Sequence, residues 1–206
     1  MKNSFSLIET IVVIFLILLI SSMTFTKIKE DKLTNALKRL ELYIKQTRYQ
    51  SLIDNKNNLN DSLWHKKRWT LKFFNCKEEV GGLYYVIYSD TNKTGHPNQN
   101  ESLIDPLTKK RVYTTNNCNY HENRSKYVLL TKEFNIKEIN MNCNSTSTIG
   151  QISFGSNGKV YTKLSTNENE FDKYELINRC EIKFTDKIGR YKILIVEAKT
   201  GYSYIR

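Results

Sequence analysis

Four cysteines are the side chains best suited to covalent chemistry in this chain: Cys76, Cys118, Cys143 and Cys180. Zinc sites commonly need close pairs such as Cys-x-x-Cys, and the sequence contains none. We therefore expect disulfide bonds, for which four cysteines allow three pairings. We favour Cys76–Cys118 with Cys143–Cys180, because each bond then closes a loop of moderate length. Each bond would stabilise the fold by about 2–4 kcal/mol.

Catalytic signatures are missing from the sequence. It contains no Gly-x-Ser-x-Gly, no His-Glu-x-x-His, no P-loop and no Gly-x-Gly-x-x-Gly. His65, His96 and His121 lie in polar stretches, where we expect them to be solvated, and Cys118-x-x-His121 alone is too little to hold a metal. We predict no catalytic residue, no metal, no cofactor and no enzymatic activity.

Basic residues dominate the charge balance, and the 206-residue chain carries a formal net charge of +11. Two clusters, HKKRW at 65–69 and KKR at 109–111, lie close to aromatic residues. Such clusters suit phosphate pairing and base stacking, although charge runs are more often solvated faces. DNA is therefore a partner that the sequence allows but does not favour. The candidate contacts are Lys66, Lys67, Arg68, Lys109, Lys110 and Arg111.

One segment is far more apolar than the rest of the chain. Residues 11–20 read IVVIFLILLI, and Glu9 is the only charged residue between Phe5 and Phe25. About 20 apolar residues cross a ~30 Å hydrocarbon core, so we predict one transmembrane span over 5–26. A cleaved secretory signal and an ordinary anchor are the alternatives, and neither explains Glu9. A carboxylate there is either functional or lies at the helix start, where the helix dipole favours it.

The segment KNSFSLIET resembles the type IV prepilin signal, in which a short basic leader precedes Phe-Thr-Leu-Ile-Glu and an apolar helix. The resemblance implies a leader of residues 1–4 and cleavage between Ser4 and Phe5 by a prepilin peptidase. It also implies N-methylation of Phe5. The family mostly has Gly before the cut, where this chain has Ser4. Glu9 would then pair with the Phe5 amine of a neighbouring subunit and set the subunit stagger.

The apolar helix is expected to continue as an amphipathic helix over 27–55, because no Gly or Pro interrupts residues 1–80. Apolar side chains then recur at steps of four, three and four, which describe one helix face. We predict that this face makes assembly contacts together with Glu9. Its members are Leu33, Leu37, Leu40 and Ile44. A single helix from Phe5 to about Ile53 would be roughly 70 Å long.

The remaining chain, 65–206, is rich in β-branched and aromatic residues between turn signals, which indicates strands. We predict strands at 68–74, 83–89, 126–131 and 191–198, a hairpin over 151–161 closed on Asn157-Gly158, and an irregular polar insertion at 91–125. The fold class is therefore α+β, with a long N-terminal transmembrane and amphipathic helix packed on an antiparallel sheet in a pilin-like domain of residues 27–206. Asn92 also lies in an extended glycosylation sequon.

Three later segments are similar to GspH/FimT-type minor pseudopilins: ALKRLELYIKQTRYQSLIDNK, ISFGSNGKV and the closing IVEAKTGYSYIR. This resemblance implies a structural or initiation subunit of a type II secretion pseudopilus or type IV pilus. Its implied partners are prepilin peptidase, other pseudopilins, the inner-membrane assembly platform and membrane lipid. It implies a single-pass inner-membrane protein with a cytoplasmic N-terminus and a periplasmic body, where disulfides form. The alternatives are a DNA-binding minor pilin of a DNA-uptake pilus and a plain membrane-anchored periplasmic binding protein.

Overall fold

The computed structural model describes residues 6–24 and 31–206. The chain divides into two compact units, Met1–Asp31 and Lys32–Arg206. Among the described residues, the first unit holds one helix, and the second holds the rest of the secondary structure.

The N-terminal unit contains helix α1, Leu7–Thr24, which is apolar around its whole circumference. Within the parts of the chain that the structure describes, no helix is long and apolar enough to cross a membrane. The predicted long transmembrane helix is therefore wrong. The described residues form helix α1 and a second helix that begins at Lys32, and residues 25–30 lie outside the described part.

Helix α2, Lys32–Ile53, opens the second unit. Its apolar residues recur at helical spacing, and the face that they form is buried against strands of both sheets and against helix α3, Leu130–Phe134. The helix ends before the Asn-rich stretch that begins at Asp54, as the turn residues there predicted. The amphipathic half of the predicted helix is therefore present, and it packs on the β-structure.

Two antiparallel four-stranded sheets make up the body. The first has the order β2-β1-β4-β5, with β1 at Trp69–Asn75, β2 at Leu83–Ser89, β4 at Gly150–Phe154 and β5 at Val160–Tyr161. The second has the order β3-β6-β7-β8, with β3 at Ile136–Met141, β6 at Cys180–Asp186, β7 at Tyr191–Val196 and β8 at Ser203–Ile205. Short 3₁₀ helices occupy Trp64–Lys67 and Lys126–Val128.

The core lies between α2 and the two sheets. Phe73 of β1 and Phe184 of β6 meet edge to face, with ring centroids 5.9 Å apart, and so join the sheets. Both are fully buried, as are Leu37 and Ile44 of α2. Each such side chain contributes about 1.5–3 kcal/mol to the stability of the body by leaving water.

The insertion at 91–125 is irregular, as predicted, but it is firmly joined to the first sheet. The Leu103 N–H donates to the Ile87 carbonyl at 2.8 Å, and the Ile87 N–H donates to the Val112 carbonyl at 3.1 Å. Leu103 and Val112 are both buried in the core. The segment therefore covers edge strand β2, which is buried along its whole length.

Both predicted disulfide bonds are present. Cys76 is bonded to Cys118 and Cys143 to Cys180, with Cα–Cα separations of 5.8 and 5.2 Å. The first bond ties the end of β1 to the insertion, and the second ties the segment after β3 to the start of β6. Each bond therefore fastens a loop-rich segment to a strand of the body.

Candidate assembly surfaces

Helix α1 presents a continuous apolar surface. Every described large apolar side chain from Leu7 to Ile20 is exposed. A helix that is hydrophobic on all sides is normally buried, and an exposed patch of this size marks an interaction surface. This helix therefore requires an apolar partner surface.

Glu9 forms a reciprocal capping box with Ser6 at the start of α1. The Glu9 N–H donates to Ser6 Oγ at 3.3 Å, and the Ser6 N–H donates to Glu9 Oε2 at 2.9 Å. This Ser-x-x-Glu pattern satisfies two of the N–H groups that a helix start leaves open, and the carboxylate suits the positive end of the helix dipole. The position of Glu9 at the helix start was one of the two alternatives that the sequence offered, but its pairing with Ser6 was not expected, although the Ser-x-x-Glu spacing signalled it. The cleavage residues Ser4 and Phe5 lie outside the described residues.

The predicted assembly face of α2 is buried inside the body. Leu33, Leu37, Leu40 and Ile44 have exposed fractions of only 0–2%. The prediction that they contact other subunits is therefore wrong, because their helix face packs on the sheets of the same chain. The helical spacing correctly marked a buried face but could not show what covers it.

The opposite side of α2 carries a second apolar stripe. Leu42, Tyr49, Leu52 and Ile53 are exposed, Leu42 at 63% and Tyr49 at 60%. Their spacings of seven, three and one place them along one side of the helix, away from the buried face. The signal in the sequence was the presence of these apolar residues outside the core-facing pattern.

An irregular loop lies beside this stripe and forms a groove with it. The groove has a volume of about 550 Å³, and most of its lining is apolar. Leu42, Tyr43 and Tyr49 line it from the helix, and Leu103, Ile104, Pro106 and Leu107 line it from the loop. Leu107 is 87% exposed, so the loop presents it to solvent. We call this feature the α2 groove.

A buried hydrogen bond fixes the floor of the α2 groove. Tyr43 Oη donates to Asp105 Oδ2 at 2.7 Å, across 62 positions of the chain. Burial, together with this bond to a carboxylate, raises the pKa of Tyr43 to about 12. Burial opposes ionisation of Asp105, but hydrogen bonds from Tyr43 and from the Leu107 and Thr108 N–H groups outweigh it and lower the pKa of Asp105.

The first basic cluster is largely engaged within the protein. The Arg68 guanidinium lies 3.7 Å from the Tyr161 ring centre and donates to the Phe171 carbonyl at 2.6 Å, and its side chain is only 5% exposed. Lys67 pairs with Asp61 at 2.7 Å, and Lys66 donates to the Lys93 carbonyl. Arg68 is therefore a structural residue that cannot present its charge to a DNA backbone.

The second basic cluster is more accessible. Lys109 and Lys110 are exposed on the loop that carries Leu107. Arg111 is partly buried and donates to the Ser102 carbonyl at 2.7 Å and to the Asn100 carbonyl at 3.2 Å. Two of the six candidate DNA contacts, Lys109 and Lys110, therefore present their charges fully to solvent.

His65 is not solvated, contrary to the prediction. It is fully buried, its Nε2 lies 3.0 Å from the Ser165 carbonyl oxygen, and the Phe171 ring packs against it. Burial lowers the pKa of His65. His96 and His121 are exposed, as predicted. Across residues 6–24 and 31–206, no three His, Cys, Asp or Glu side chains are grouped to hold a metal.

No protein family, curated protein or solved structure matches this chain.

Proposed function

We propose that this protein is a structural subunit of the minor pseudopilin class, which docks with other subunits and catalyses no reaction. The proposal joins the prepilin-like segment Phe5–Glu9 to two docking features, the exposed helix α1 and the α2 groove. Other pseudopilins and the inner-membrane assembly platform are the proposed partners. The machine would be a type II secretion pseudopilus or a type IV pilus.

The exposed apolar surface of α1 is the observation that carries this proposal. Twelve large apolar side chains between Leu7 and Ile20 are exposed. Covering half of them at about 1.5 kcal/mol each would contribute on the order of 10 kcal/mol to association. A subunit that packs inside an assembly gains this free energy of burial, whereas an isolated subunit does not.

Maturation would prepare this helix for assembly. A prepilin peptidase would cleave between Ser4 and Phe5, and the new amine of Phe5 would be N-methylated. The Glu9 carboxylate, held at the helix start by Ser6, would then pair with that amine on a neighbouring subunit. A charge pair in a poorly solvated helix bundle disfavours other registers by leaving their carboxylates unpaired.

Two disulfide bonds support an oxidising compartment for the body. Such bonds persist in the bacterial periplasm and are rare in the cytosol. The periplasm is where pseudopilin bodies would assemble, so the disulfides agree with the proposed class.

Intact mass measurement tests the proposal. The full chain is produced together with a prepilin peptidase and extracted in mild detergent, and its intact mass is measured by mass spectrometry. We expect a species that begins at N-methylated Phe5. A Ser4→Lys variant should stay uncut, because the small side chain before the cut is lost. A wild-type chain that keeps Met1 would overturn the proposal.

A DNA-binding minor pilin of a DNA-uptake pilus is the alternative. It is supported by the net charge of +11 and by the exposed Lys109 and Lys110. It is weakened by the burial of Arg68 and by the tail Gly201-Tyr202-Ser203-Tyr204, where DNA-binding FimT-like tails carry Gly-Arg-x-Arg.

A further inference from the structure

The α2 groove is a rigid surface, because its loop is built around Asp105. Asp105 Oδ1 accepts the Leu107 N–H at 2.9 Å, and the Asp105 carbonyl accepts the Lys109 N–H at 2.8 Å. Tyr43 fastens the same carboxylate to α2. The loop is therefore held in a conformation that keeps Leu107 in solvent, and a flexible loop would instead fold that side chain inward.

The length of the groove indicates an extended occupant. Along α2 its lining runs from Arg39 to Gln50, which is eleven residue steps, about 16 Å or three helical turns. The walls of the groove, Leu42, Tyr49 and Leu107, are themselves more than half exposed. A small molecule would leave these apolar side chains in contact with water, whereas a helix that packs along α2 would cover all three of them.

Positive charge beside the groove indicates an acidic occupant. Arg39 lines the groove, and the exposed Lys109 and Lys110 follow its loop wall. Lys45 also lines the groove, but it is already paired with Glu41 at 2.5 Å. The carboxylate that lines it, Asp105, is buried and already bonded to Tyr43. The rim is therefore positive, and an approaching segment is selected by the carboxylates that it carries.

The same charge disfavours a second copy of this chain. Two copies placed groove to groove would bring the same cations together, and each chain already carries a net charge of +11. Like charges at an interface raise the free energy of the wrong pairing. Groove-to-groove pairing of two copies is therefore disfavoured.

We propose that the α2 groove binds an acidic amphipathic helix of another protein, with apolar anchors spaced i, i+4, i+7 and with Asp or Glu beside them. This inference rests on the proposed function, since it names the kind of neighbour that docks beside the body. The α2 groove faces away from the core, and the inference states which chemical features its partner must have.

In-cell photocrosslinking of the full chain tests the inference. A photoreactive benzoylphenylalanine replaces Leu107 or Leu42, and the matched controls place it at Ile188 or Ile177, which are equally exposed apolar residues outside the groove. Adducts are identified by mass spectrometry of the crosslinked peptide. We expect the groove positions to capture a different protein through a segment that is apolar and net negative.

Charge reversal supplies the second readout. The double variant Lys109→Glu, Lys110→Glu should reduce the groove adduct by roughly tenfold, because steering by charge changes association rates by 10- to 1,000-fold. The matched change Lys137→Glu, Lys183→Glu on the second sheet should leave it unchanged. An adduct only with a second copy, a captured segment without carboxylates, equal capture at the control positions, or no adduct would overturn the inference.

Failure of this inference is distinguishable from failure of the proposed function. A chain that is cleaved before Phe5 but gives no groove adduct remains a pseudopilin whose neighbours dock elsewhere. A chain that is not cleaved but gives the acidic adduct retains a groove partner and loses the pseudopilin assignment.

Discussion

Removing one hydroxyl group from Tyr43 should both destabilise the body and loosen the α2 groove. Tyr43→Phe deletes the 2.7 Å bond to Asp105, and both residues are buried. Hydrogen bonds to charged groups contribute about 1.5–3 kcal/mol, so we expect a loss of about that size near pH 7. The Leu107 and Thr108 N–H groups still bind the carboxylate, which keeps the loss near the lower end of that range.

Tyr85 provides a matched control within the same core. Its ring centre lies 6.1 Å from that of Tyr43, and its hydroxyl is buried without a hydrogen-bond partner among the described residues. Tyr85→Phe makes the same chemical change but removes an unsatisfied polar group. We therefore expect unchanged or slightly increased stability.

Urea unfolding of the full chain in mild detergent, with the disulfides intact, measures both variants. The pH dependence gives an independent check. The pKa of Tyr43 is raised to about 12, so the unfolded chain ionises first above pH 10 and stability is lost between about pH 10 and 12. Tyr43→Phe should lose less stability over that range than the wild type. Equal unfolding free energies for the two variants would refute the role assigned to Asp105.

Three further predictions concern other parts of the molecule. Gly201→Ala should destabilise the body by more than about 1 kcal/mol in the same urea assay, because φ is +63° and an added Cβ would lie 2.7 Å from Phe154 Cε1. The lowered pKa of His65 means that the unfolded chain binds a proton first, so stability should fall below about pH 6.5. His65→Gln should flatten that decline, and an unchanged decline would contradict the assignment. DNA binding by the full chain across a salt series should be weak and should disappear when Lys109 and Lys110 are both replaced by Ala, whereas tight binding that survives this change would favour another DNA site.

Local patterns predicted the elements whose burial follows a simple period. The core face of α2, strand β2 at Leu83–Ser89 and the β4–β5 hairpin all follow their sequence signals. In the hairpin the Gly158 N–H donates to the Gly155 carbonyl at 3.0 Å, so Ser156 and Asn157 are the central residues of the turn and Gly158, with φ at +82°, follows them. Strand β6 was missed although Cys180, Ile182 and Phe184 alternate inward along it.

Other features depended on contacts that no local pattern contains. The strand expected at 126–131 is a 3₁₀ turn followed by the start of α3, because its consecutive buried residues Val128–Leu130 fit either structure. Strands β3 and β8 are short or polar and were not expected. The α2 groove depends on a bond between residues 62 positions apart, and the burial of Arg68 depends on Tyr161 and Phe171. The basic run at 65–69 therefore could not show, from the sequence alone, which of its charged side chains reach the surface.

The central proposal is that assembly requires the negative charge of Glu9. Removing that charge is the most direct test. Glu9→Gln keeps an acceptor oxygen for the Ser6 N–H and so retains the capping box, but it removes the negative charge. The measurement is the fraction of the protein recovered in pilus-like assemblies purified from producing cells, with Ser6→Ala as a control that weakens the cap and keeps the charge. We expect Glu9→Gln to be cleaved but absent from the assemblies, and Ser6→Ala to be incorporated. Incorporation of Glu9→Gln at the wild-type level would contradict the account.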